Sequence, residues 1–306
     1  MLIGLLAPGL LMSLNLPDQE RPVQEQPDIV VTGERSREAE VNSFVRALTP
    51  AAPSRRIARF EQAICPAAVG LGEAADRAVI ERMRRVVEAA GLRAETGDCA
   101  PNVVLIVARD KPGFLRRLSR QRPEYFGEIG LGRVRELIRD RGPAVAWHIA
   151  GAPMSARGQE LGVDPSLGQY VNRTTEGSSR LAFAARPQFE SAVVVIERGA
   201  LSGLTMTEIA DYAIMRALVD AEPERLATSA PTILRILDAP MSSEVPITLT
   251  EWDLGFLRAF YSIPRNAMNA AQRSAIREQM LRELDQDRGA AAEHGSPPAP
   301  PPDAPR

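Results

Sequence analysis

The apolar positions of this chain follow two different periods. Two short unbroken runs, "NVVLIVARD" at 102–110 and "SAVVVIERG" at 191–199, end in polar or turn-forming residues and predict strands inside a sheet. "AVAWHIAG" at 144–151 predicts another strand, and its alternation puts Trp147 and His148 on opposite faces. Apolar Ile57, Phe60 and Ile64 predict a strand over 57–64, and 178–197 reads as two strands around a turn at Arg186 and Pro187. The other period is helical. Val79, Ile80, Met83, Val86, Val87 and Ala90 line one face of a helix, with Gly91 placed just past its end. Further helices are expected over 41–50, 111–126, 130–142, 204–220, 230–239, 250–262 and 269–284. Helices and strands interleave, so the expected class is α+β, a mixed sheet with packed helices in one main domain over 41–284.

The ends of the chain have no such periodicity. Residues 2–16 form an apolar run shorter than the roughly 20 residues that a membrane-spanning helix needs. It suits the core of a signal peptide over 1–16, although no basic residue precedes it. Residues 17–40, rich in Pro, Gln and Glu, predict a flexible linker, and 285–306 a disordered Pro/Ala-rich tail.

Composition narrows the partners. A net charge of −2 over 306 residues gives no reason to expect nucleic acid. Lys111 is the only lysine beside many arginines, a skew that GC-rich coding explains. The two cysteines, Cys65 and Cys99, flank the strand–helix–strand unit over 57–108. In an exported protein such a pair predicts one disulfide. The leader and the disulfide support each other, and together they imply a periplasmic or secreted protein with no transmembrane helix in its mature chain.

The chemistry turns on the helix over 204–220. Thr205 and Glu208 have the spacing of a capping box. Ile209, Ala210, Ala213, Ile214, Ala217 and Leu218 form its apolar stripe. Glu208, Asp211, Tyr212 and Met215 share another face, so a groove over this helix would present them. A strand precedes it; "APMSS" around Met241 and a helix with Asp253, Leu257 and Tyr261 follow. In that order these parts resemble the metzincin zinc proteases, and a group of proteobacterial envelope proteins in which the zinc helix is degenerate. The resemblance spans 191–262 and implies a zincin-like scaffold with Met241 in its methionine turn. It places Asp211 and Met215 where the first two zinc histidines would stand, and Tyr212 at the catalytic glutamate.

That departure argues against the family's activity. Zinc peptidases need imidazoles on adjacent turns and a glutamate to activate the metal-bound water. This chain has only His148 and His294, the latter in the expected tail. No metal and no cofactor is therefore expected. Glu197, Glu208, Asp211 and Asp220 are carboxylates that could line one groove, but acidic residues early in a helix also answer its dipole. Gly127, Gly130 and Gly132 lack the strand a dinucleotide fingerprint requires and read as loop glycines.

Three functions stay open on the sequence. The first is a non-catalytic envelope protein whose metal-free groove binds a peptide or protein partner. The resemblance implies that such a groove holds a peptide by adding a strand to the sheet edge. The second is a metal-independent hydrolase using His148 as base, with Ser155 the nearest hydroxyl in sequence. The third is a structural envelope protein without a ligand.

Overall fold

The computed structural model describes residues 32–50, 56–173, 184–227, 229–238 and 245–294. In chain order the elements are α1 (Thr32–Ala47), β1 (Arg59–Phe60), β2 (Pro66–Val69), α2 (Glu73–Ala89), β3 (Val103–Ala108), α3 (Lys111–Gln121), α4 (Gly130–Arg139), β4 (Ala144–Ala150), β5 (Met154–Ser155), β6 (Gly162–Asp164), β7 (Gln169–Val171), β8 (Ala185–Arg186), β9 (Gln188–Glu197), α5 (Met206–Leu218), α6 (Glu251–Ser262) and α7 (Asn269–His294). The architecture is α+β, as the interleaved patterns implied.

The main sheet is mixed. β9 lies at its centre, parallel to β3 and β1 on one side and antiparallel to β4 on the other. β2 runs parallel to β3 on the far side. Because β1 and β3 pair with successive lengths of β9, β4 has the opposite edge of β9 to itself. No further strand pairs with β4 among the described residues.

Helices cover both faces, which is why the central strands are apolar on both sides. One face, with Val103, Leu105, Val194 and Ile196, packs into a large core with α2, α5 and α6. The other, with Val193, Val195, Val145 and Trp147, packs against Leu115 of α3 and Val134 and Leu137 of α4. Trp147 stacks on Phe126 at 5.0 Å between ring centroids, and its indole N–H donates to the Tyr125 carbonyl at 2.9 Å. Cys65 and Cys99 are bonded, with Cα atoms 6.1 Å apart.

Several boundaries differ from the pattern's prediction. The strand expected over 57–64 pairs only at Arg59 and Phe60. Ile64 makes a lone bridge to Ala94, and the longer strand is Pro66–Val69. The small side chains of "PAAV" carry too weak a signal to be found by periodicity. α1 starts at Thr32, inside the expected linker, and α7 runs to His294, inside the expected tail. Both stretches are rich in Glu, Arg, Gln or Ala, good helix formers that extend a docked helix beyond its last core contact. Where a helix was expected over 230–239, the described residues 230–238 form only a 3₁₀ turn, Ile233–Arg235. Gly127 is a loop glycine by geometry. Its φ is 54°, and a Cβ there would stand 2.6 Å from the Ile149 side chain.

Candidate functional site

Every residue of α5 from Glu208 to Leu218 is buried. The helix lies on the sheet face, with α2 along its flank and the 233–235 turn against it. The capping box forms as expected: the Glu208 carboxylate accepts from the Thr205 amide at 2.6 Å, and Thr205 Oγ1 accepts from the Glu208 amide at 3.3 Å.

The groove-facing assignment of Glu208, Asp211, Tyr212 and Met215 is therefore corrected, because the face they share is covered by protein. Tyr212 and Met215 belong to the core cluster. Asp211, with no exposed surface, ties three elements together. Arg82 of α2 grips it with two bonds, Nε to Oδ1 at 2.6 Å and Nη2 to Oδ2 at 2.8 Å. The Thr248 hydroxyl and the Leu249 amide also donate to Oδ2, at 2.7 and 3.0 Å. This set of charge-assisted bonds makes Asp211 a structural clamp. It also holds the Arg82 guanidinium above its ordinary pKa, chiefly through the hydrogen bond.

Met241 lies outside the described residues. Asp253 and Tyr261, the marks of the closing helix, have structural partners. Asp253 is fully buried and closes a second capping box with Thr250. It also accepts from the Thr232 hydroxyl at 2.6 Å and the Ile233 amide at 3.0 Å. Burial pushes its carboxyl above the usual range, against the pull of those bonds.

The Tyr261 hydroxyl donates to the Leu218 carbonyl at 2.7 Å, satisfying one of the orphan acceptors at the end of α5. Burial holds this phenol above its ordinary value near 10. Above pH 10 the unfolded chain thus loses a proton that the folded one keeps, so stability falls as pH rises from there. Tyr261→Phe is expected to cost about 1–3 kcal/mol at pH 7, from the carbonyl left without a donor. It should also flatten the alkaline fall, which urea melts at pH 7 and pH 10.5 would measure. Tyr212, raised by burial as well, keeps part of that fall.

Among the described residues no three His, Cys, Asp or Glu side chains converge as a metal site. Glu197, Glu208, Asp211 and Asp220 do not converge there.

His148 serves the same helix end as Tyr261. Its Nε2 lies 2.9 Å from the Ala217 carbonyl, an acceptor, so Nε2 carries the proton. Nδ1 faces the Asp220 carboxylate at 3.9 Å, and the ring stacks on Phe189 at 4.2 Å. Ser155 is not beside it. Ser155 is buried in the β5–β8 ribbon, where its Oγ accepts from the Gln159 amide at 3.0 Å. Among the described residues, the walls of the cavity at His148 contain no Ser, Thr or Cys. The arrangement caps a helix, and no nucleophile stands beside the ring among the described residues.

An open concave surface lies beside β4, not over α5. The Glu197 amide donates to the Pro143 carbonyl at 2.8 Å, which sets the phase of the β4–β9 ladder. In an antiparallel pair alternate residues bond inward, so Val145, Trp147 and Ile149 face β9. The backbone N–H and C=O groups of Ala144, Ala146 and His148 then point away from it. Two cavities run along that edge. One of about 490 Å³ lies by His148, Ala150 and Phe189, and one of about 390 Å³ by Ala144 and Arg216. They share Arg133, Glu136 and Ala146, so together they form one groove, with α4 on one bank and the end of α5 on the other.

The sequence shows β4 as a strand but not as an edge. It also hides Arg82 and Thr248, which no spacing links to Asp211. No family model matches the chain, and no curated protein or solved structure matches it. No helix among the described residues is long and apolar enough to cross a membrane.

Proposed function

We propose that this is a non-catalytic protein of the cell envelope, periplasmic or secreted, that takes up an extended peptide or partner segment along β4. The scaffold would be a zincin-like one that has lost its metal. The observation that carries this reading is the outer edge of β4, where the Ala144 and Ala146 backbone groups face a groove long enough for several residues. Strand addition uses such groups for affinity and the banks for side-chain selection. The Cys65–Cys99 bond supports an oxidising compartment. His148 caps α5, and the described walls of its cavity offer no hydroxyl, which weighs against the hydrolase.

A backbone substitution tests this. The Ala146 N–H points away from β9, so proline there leaves the β4–β9 ladder intact while removing a donor from the edge. Ala146→Pro should melt near the wild type. It should bind a fluorescein-labelled pool of random octapeptides about tenfold more weakly, read by anisotropy. Binding untouched by the proline, or none in the wild type, would overturn the proposal. So would one zinc per chain together with peptidase activity.

A further inference from the structure

Arg216 stands in the last turn of α5 and is more than nine-tenths buried, yet its guanidinium makes no hydrogen bond or ion pair among the described residues. It lines the 390 Å³ cavity at the Ala144 end of the β4 groove. A buried cation without a partner is costly, and replacing it with an apolar residue of similar size would favour the fold. A helix C-terminus does attract a cation. Two of the last carbonyls of this one, those of Ala217 and Leu218, are already taken by His148 and Tyr261.

Three of the carboxylates nearby are held by other cations. Asp140 is held by Lys111 at 2.8 Å, Glu222 by Arg225 at 3.6 Å, and Glu136 by Arg133 at 3.1 Å. Asp238 feels the charge of Arg216 without forming an ion pair, and exposed Glu224 stands on the cavity wall. Arg216 is thus in no ion pair among the described residues, and it faces an open space beside an edge strand.

We infer that Arg216 is the point where the groove recognises a carboxylate of its ligand. This rests on the reading that β4 accepts an added strand. A strand antiparallel to β4 runs from the Ala150 end toward Ala144, so its C-terminal end arrives at Arg216. A guanidinium can bind a carboxylate through two parallel bonds, which fixes register as well as adding affinity. The carboxylate can come from the C-terminus of the peptide or from an Asp or Glu side chain.

The test separates these sources. Two fluorescein-labelled pools of random octapeptides are compared on the wild-type protein, one with free C-termini and one C-terminally amidated. A single charge-assisted contact predicts binding of the free acids about tenfold tighter or more. Equal binding of the pools, with Asp or Glu enriched in the captured amides, would assign the same role to a side-chain carboxylate. Arg216→Met should erase either preference while melting at or above the wild-type temperature. If both pools bind alike, with no acidic enrichment and no effect of Arg216→Met, the inference is overturned and peptide binding by β4 stands. If neither pool binds, the reading of the groove itself falls, and this inference with it.

Discussion

Removing the Cys65–Cys99 bond, as in a Cys65→Ala/Cys99→Ala variant, is expected to destabilise the protein by about 4 kcal/mol, the chain-entropy value for a loop of this length. The two residues are 34 apart in sequence, and the loop they close contains all of α2. In the unfolded chain the bond removes much of the freedom of that loop. The folded chain already fixes its ends without the bond. The Cys65 amide donates to Asn102 Oδ1 at 2.8 Å, and the Cys65 carbonyl accepts from the Asn102 amide at 3.0 Å. The native structure should therefore survive, with a melting temperature lower by about 10 °C for a domain of this size. A change under about 2 °C would mean the bond does not constrain the unfolded state. Two labelled thiols in the unreduced, denatured protein would mean it does not form, and would remove the main support for an oxidising compartment.

The second large effect is at Asp211. Alanine there leaves Arg82 without its counter-ion and the Leu249 amide without its acceptor, and it unties the 245–250 segment from α5. Breaking a buried pair from one side costs about 3–5 kcal/mol. Arg82 keeps 27% of its side-chain surface and can reach water, so the lower end of that range applies, about 3 kcal/mol. Replacing both partners with apolar residues, Arg82→Met with Asp211→Leu, should recover part of the loss, because no charge is then stranded. Urea denaturation of Arg82→Met, Asp211→Leu and their combination gives the coupling directly. An Asp211→Ala variant as stable as the wild type would return Asp211 to a groove-facing role.

Asp211 also shows where reading along the chain stops. Its helix, its cap and the face it shares with Glu208, Tyr212 and Met215 all follow from local spacing. Whether that face opens to solvent depends on α2 and on residues 245–250, which are distant in sequence. A polar residue on a helix suggests exposure unless its partner is known, and Arg82 is 129 positions away. The same holds for His148. Its strand and its face were legible from alternation, but the Ala217 carbonyl it caps lies 69 residues on.

Backbone preference and burial period act over a few residues, and they account for the α+β class, the helices α2 to α7, the strands β3, β4 and β9, and the Thr205–Glu208 cap. Cysteine count and placement were enough to pair Cys65 with Cys99. The order of strands is another matter. Nothing local to "AVAWHIA" says that it pairs with β9 on one side and with no described strand on the other, because pairing is a competition among distant segments for the same backbone groups. That competition leaves β4, among the described residues, at the edge of the sheet and puts the guanidinium of Arg216 at one end of its groove.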